Sequence, residues 1–221
     1  IQGLFFPPAK PIEENIVLDV HKIHFILASV KDKKILVNDI FERIHKFRKN
    51  WEIDEPEKLW KRLANPNRFD SGEVIFLKRI LQRELPKNVR ETITQELFDK
   101  YVTTDEAEFA KKLYLSLEEI KEMSDEGMYF GSHSYSHEWL AYLDPENLDK
   151  EIKKSWNFCK KINSDKQQIM CYPYGNHNSN VIEKLLEYNF KAGLTTDVGD
   201  AILNNENAFN LRRYDTNDFP Q

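Results

Sequence analysis

Gly131-Ser132-His133-Ser134-Tyr135-Ser136-His137 follows directly on a short apolar run, Met128-Tyr129-Phe130, and sets two histidines four positions apart. If residues 133–137 turn helically, positions i and i+4 stack on one face, and two imidazoles can reach one cation at about 2.0–2.1 Å each. Gly131 and Ser132 then mark the end of a strand and the start of a turn. That puts the pair at a strand's C-terminal tip, where α/β folds keep their chemistry. The same spacing also falls by chance on surface helices that bind nothing, so the surrounding chain has to decide between the two readings.

Outward from the histidines the second half alternates in βα fashion. Ser116-Leu117-Glu118-Glu119 is a capping box and Gly127 a C′ residue, which together predict a helix over about 117–126. Asp144 and Pro145 supply an N-cap and N1 for a helix to about Ile162, with Ile152, Trp156, Cys159 and Ile162 facing inward. Ile169-Met170-Cys171-Tyr172 reads as a strand, Pro173-Tyr174-Gly175 as a turn, and Ser179 or Asn180 opens a helix bearing Val181, Ile182, Leu185 and Leu186. Phe190 to Thr196 is a further strand and Asn210 to Tyr214 a last short one. At the other end of the chain Gly3-Leu4-Phe5-Phe6-Pro7-Pro8 is an apolar run stopped by two prolines, again a strand. This order predicts an α/β fold with a parallel sheet or (β/α) barrel, its loops gathered at one end.

Between these parts, residues 15–115 carry helical periodicity. Val17, Val20, Ile23, His24 and Leu27 form one stripe, Ile40, Ile44 and Phe47 a second, then Leu59, Trp60 and Leu63, then Val74, Leu77, Leu81 and Leu85, and finally Ile93, Leu97, Phe98 and Tyr101. A single glycine, Gly72, lies between positions 4 and 126, against five between 127 and 199, so a helical stretch is set off from a strand-and-turn stretch. The expected organisation is residues 1–14 with 116–221 as the α/β part, and 15–115 as an all-helical insertion. That insertion could lid a site, make a homo-oligomer or recognise a larger ligand.

Composition narrows the partners. The 221 residues carry a net charge of −5 with no basic footprint, which argues against nucleic acid and anionic membrane. No apolar run approaches the ~20 residues of a membrane span. The two cysteines, Cys159 and Cys171, form neither a disulfide scaffold nor a Cys-x-x-Cys knuckle, and read as buried thiols. The opening Ile-Gln-Gly has no basic n-region and no initiator Met, so the chain reads as a fragment or processed product, and cytoplasm and cell envelope stay equally open.

Two turns thus fall at the same end of neighbouring strands, His133 to His137 after one and Pro173-Tyr174-Gly175 after the next. This pairing resembles the polysaccharide deacetylases, metal-dependent carbohydrate esterases on an irregular (β/α) barrel, whose signature has His-[Ser/Thr]-x-x-His and, some forty residues later, Pro-Tyr-Gly. The opening Gly-Leu-Phe-Phe also looks like that family's second strand. The resemblance covers residues 3–8 and about 116–215.

It implies a hydrolase removing an N- or O-linked acetyl group from a carbohydrate. His133 and His137 would hold a divalent ion, in this family most often zinc, which polarises the carbonyl and acidifies a bound water toward a pKa of ~7. Ser134 would shape the turn, and the Tyr174 backbone N–H would hold the oxyanion. Pro173 would set the backbone entry and Gly175 permit an unusual φ. The resemblance leaves gaps. The family's Thr-Phe-Asp-Asp-Gly, source of the base and third ligand, has no counterpart here, which is expected if its strand precedes residue 1. Two ligands of three predict weak metal binding and poor catalysis by this chain. Cys171 stands where many members have arginine, Arg213 is the favoured substitute, and no Leu-x-His follows. These departures keep open a second reading, a catalytically impaired member that binds carbohydrate or a partner.

The remaining candidates read more simply. His177 is expected to be a solvated loop residue, and His21, His24 and His45 packing or surface residues of the helical stripes. Trp139 is a core contact seating the histidine turn, or a platform for a sugar ring. Asp197-Val198-Gly199-Asp200 only loosely resembles the family's Asp-x-x-Asp-Trp and is taken as a turn.

Overall fold

The computed structural model of the protein describes residues 1–162 and 166–219. In chain order it has β1 (Leu4–Phe5), α1 (Ala9–Glu14), α2 (Asp19–Ser29), α3 (Lys33–Phe47), α4 (Pro56–Leu63) and α5 (Gly72–Arg79). Then come α6 (Lys87–Tyr101), α7 (Glu106–Leu113), α8 (Leu117–Asp125), β2 (Tyr129–Phe130), α9 (Pro145–Ile162), β3 (Gln168–Cys171), α10 (Ser179–Glu187) and β4 (Phe190–Leu194). The chain divides into two compact units, one of residues 1–16 and 110–221, the other of residues 17–109.

The first unit is α/β. β1 pairs in parallel with β2, and β3 in parallel with β4. An isolated parallel bridge between Ser132 and Met170 extends the chain leaving β2 onto β3, and another joins Leu194 to Leu211. The parallel segments therefore neighbour one another in sequence order. The sheets themselves are small. Of the strand expected over 210–214 only the Leu211 bridge forms, because that segment spends its polar groups on loops: Arg213 N–H donates to the Asp197 carbonyl and Tyr214 Oη to the Asp200 carboxylate.

Helix signals in this unit are realised locally. Ser116 and Glu119 close the expected capping box on α8, and Pro145 opens α9. α10 opens at Ser179, one of the two expected starts, and is capped by the Asn178 side chain accepting from Val181 N–H. Two apolar clusters fill the unit. Leu140, Leu148, Ile152, Met170, Tyr172, Val181, Leu185 and Phe190 form one, and Ala9, Ile120, Phe130, Tyr135 and Phe158 the other. The first seats the turn after β3, the second the loop after β2.

Every described element of the second unit is helical, with Ile23, Leu36, Ile40, Ile44, Phe76, Ile93, Leu97 and Phe98 fully buried. Two stripes differ from expectation. In α2 the inward positions are Lys22, Ile23 and Ile26, and His24 is exposed; Lys22 takes an inward place because Gln95 and Glu106 accept from its ammonium. The stripe from Val74 to Leu85 is not one α-helix, since α5 passes into a π-helical stretch, Ile80–Glu84, before Pro86. No described helix is long and apolar enough to cross a membrane.

Candidate metal and acyl-transfer site

The Ser132–Met170 bridge fixes the site, since it holds the loop after β2 beside the end of β3. Ser132 N–H donates to the Ile169 carbonyl at 2.9 Å and Cys171 N–H to the Ser132 carbonyl at 2.8 Å. One residue on, His133 Nδ1 lies 2.6 Å from the Cys171 carbonyl oxygen. A carbonyl only accepts, so Nδ1 carries the hydrogen, and in the neutral ring Nε2 carries the lone pair. This is the arrangement in which metal-ligating imidazoles are commonly held.

The expected helical turn over 133–137 does not form. Ser134 and His137 both adopt left-handed backbone, at φ 59° and 62°. Hydrogen bonds within the loop hold this conformation: Ser132 Oγ accepts from Ser134 N–H, and Ser134 Oγ from His137 N–H at 3.0 Å. The loop still brings the imidazoles together, edge to face with centroids 4.8 Å apart. Two rings on one tetrahedral ion have centroids about 5 Å apart, so the pair fits a shared cation. Among the described residues no group of three or more His, Cys, Asp or Glu could hold a metal, so the fit covers two donors only.

The Pro173-Tyr174-Gly175 turn closes on the same place. Tyr174 is left-handed at φ 57° and Gly175 at φ 67°, the first a costly conformation for a residue with a Cβ. The Tyr174 ring meets His137 edge-on at 4.7 Å and stacks flat on Trp139 at 4.1 Å. The Trp139 indole N–H is buried and has no acceptor among the described residues. Pro173, which begins the turn, is buried.

Arg213 sits one step away. Its Nε donates to the Thr195 carbonyl at 2.8 Å, and its guanidinium faces the Cys171 thiol. Burial pushes that thiol's pKa up, and Arg213 partly offsets the effect. His177 is not solvated as expected. Its ring stacks on buried Tyr172 at 4.4 Å, and its nitrogens lie 3.0 Å from the Gly175 carbonyl and 2.6 Å from Asn210 Oδ1. That departure reflects the sheet order, which brings residues 33 positions apart against the turn. Sequence reading missed Glu151, whose carboxylate accepts from the Tyr135 and Ser136 backbone N–H groups and from Ser136 Oγ. Nothing in its sequence context, a charged helix face, signals that role.

A parallel α/β unit with its polar and strained turns at adjacent strand ends is the framework of many α/β enzymes. Residues 91–193 match the family model described as polysaccharide deacetylase. YxkH of Bacillus subtilis (strain 168), named for the same family, is 28% identical over 90 residues, or 41% of this chain. The chain spans about a third of that relative's length, 32%. Among solved structures, a polysaccharide deacetylase from Bacillus cereus is 29% identical with a TM-score of 0.39, over 45% of this chain and 31% of that one. The deacetylase PplD of Streptococcus pyogenes, solved with acetate, is 18% identical with a TM-score of 0.43, over 96% of this chain and 90% of that one.

Proposed function

We propose that the site serves a metal-dependent hydrolase removing an acetyl group, N- or O-linked, from a carbohydrate, on a fold of the irregular (β/α) barrel type. The observation that carries this reading is the meeting of two turns: the His133–His137 pair with its 4.8 Å ring separation, and the Tyr174 turn packed on His137. His133 and His137 are the residues that would hold the metal, with zinc the fitting choice for an imidazole-containing set. When bound, the metal supplies a polarised carbonyl and an acidified water.

The chain's own residues do the rest. The Cys171 carbonyl holds the His133 ring in one tautomer and one orientation. The Tyr174 backbone N–H stabilises the developing oxyanion, and Pro173 and Gly175 fix the turn that presents it. Arg213, reaching Cys171 from the segment after the Leu211 bridge, supplies positive charge beside the site. Trp139 backs the Tyr174 ring and offers the substrate an apolar wall.

The test is zinc titration of the purified chain by calorimetry, together with acetate release from N-acetylglucosamine oligomers and from an O-acetylated xylan. Wild-type binding that disappears in His133→Ala, with acetate release that follows zinc, supports the reading; equal zinc binding in both overturns it. A carbohydrate-binding role without turnover is the second reading. It is kept open by Cys171, which stands where many members of the resembled family carry arginine. Oligosaccharide binding with no acetate release would establish it.

A further inference from the structure

Resting on the proposed metal-binding role of His133 and His137, we infer that Glu151 is the positioning residue that sets His137 relative to His133. The loop between them makes no regular structure, and two of its residues, Ser134 and His137, hold left-handed backbone. Such a loop keeps its shape only if its neighbours over-determine it. On one side its carbonyls are taken by the start of α1: Lys10 N–H donates to the Tyr135 carbonyl at 2.9 Å and Ala9 N–H to the Ser134 carbonyl. On the other side, Glu151 from α9 takes its donors. One carboxylate oxygen accepts from Tyr135 N–H at 3.1 Å and from Ser136 N–H at 3.0 Å, and the other accepts from Ser136 Oγ.

Three donors converge on one carboxylate, and all lie on the two residues between Ser134 and His137. Charge-assisted bonds of this kind are the stronger class, and here they aim at backbone, which a helix-borne side chain can hold in place. Glu151 is itself braced, because its neighbour Ile152 is fully buried in the apolar cluster beneath α9. The carboxylate therefore acts on the loop backbone and on Ser136. It fixes where His137 leaves the loop relative to His133, and so the separation that lets one ion bridge both rings.

The experiment compares wild type with Glu151→Gln, which keeps an acceptor for the two amides, Glu151→Asp, which keeps the charge but falls short by one methylene, and Glu151→Leu. Amide hydrogen exchange in the metal-free protein reads the clamp directly. Tyr135, Ser136 and His137 should exchange at least tenfold faster in the Asp and Leu variants and near wild-type rate in Gln, with α9 protection retained. Zinc affinity should fall tenfold or more in Asp and Leu and be recovered largely in Gln. Unchanged exchange and unchanged affinity in the Asp variant overturn the inference even if Leu fails to fold. If wild type binds no zinc, the metal reading fails, while the exchange rates still decide whether Glu151 clamps the loop.

Discussion

His133 and Cys171 are joined side chain to backbone, ring Nδ1 to carbonyl oxygen at 2.6 Å, across the seam where the chain leaving β2 meets β3. The bond commits Nδ1 of the ring to the protein, so in the neutral ring the lone pair lies on Nε2. The neutral ring should therefore be the Nδ1–H tautomer at pH 8 in metal-free protein. Nitrogen-15 shifts of the labelled imidazole would report it, and an Nε2–H tautomer would contradict the orientation argued for the site. His133→Ala should cost at least tenfold in zinc affinity, measured by calorimetry, against little change for His45→Ala on exposed surface.

Tyr174 combines a left-handed backbone with two ring contacts, and substitutions can separate them. Tyr174→Gly suits the backbone and deletes the ring. Tyr174→Val keeps a side chain but places a β-branched residue where φ is 57°. Valine should destabilise by about 1–3 kcal/mol more than glycine, since both delete the ring and only valine is strained at that φ. Urea midpoints of the two variants check this, and equal midpoints would refute it.

Gly131 is tight for a packing reason. A Cβ there would lie 2.5 Å from Phe6 Cε1 and 2.8 Å from the Ile169 carbonyl oxygen, the latter a backbone atom that cannot swing aside. Gly131→Ala should cost about 1–3 kcal/mol through forced separation of neighbouring chains. Thermal unfolding would measure it. The exposed Gly127, with nothing within 4 Å of its added Cβ, meets only the cost of its φ of 91°.

In the helical unit, Asp39 accepts from Tyr101 Oη at 2.5 Å and Lys100 Nζ at 2.7 Å, with Arg43 nearby. Burial pushes its pKa up, but the hydrogen bonds from Lys100 and Tyr101 and the charges of Lys100 and Arg43 together hold it below the ordinary carboxylate value. A depressed folded-state pKa means stability that is present above the unfolded value of about 3.9 and lost as pH falls through the folded one. Asp39→Asn should therefore be less stable by about 1–2 kcal/mol at pH 7. The gap should hold to about pH 5 and shrink below about pH 4. Denaturant titrations at stepped pH check it, and a gap that stays constant to pH 3 would rule out the ionic contribution.

Much of the fold was legible because its signals are local. The capping box at Ser116 and Glu119, proline at the start of α9, and the apolar runs of β2 and β3 each depend on neighbours within a few residues. The misses have a common cause in long-range contacts. His24 leaves the buried stripe because Lys22, paired with Glu106 from far along the chain, takes an inward place. His177 becomes a packed residue because Asn210 arrives beside it.

The histidine motif divides along the same line. By itself the sequence determined that two imidazoles stand four residues apart at a strand end, with Pro-Tyr-Gly after the next strand, since residue identity and spacing are covalent facts. Only the tertiary structure decided how they meet. The Cys171 carbonyl on Nδ1, the Tyr174 ring on His137 and the Glu151 clamp on the loop all join segments distant in sequence. Their geometry depends on strand register and helix packing, which no local pattern of side chains encodes.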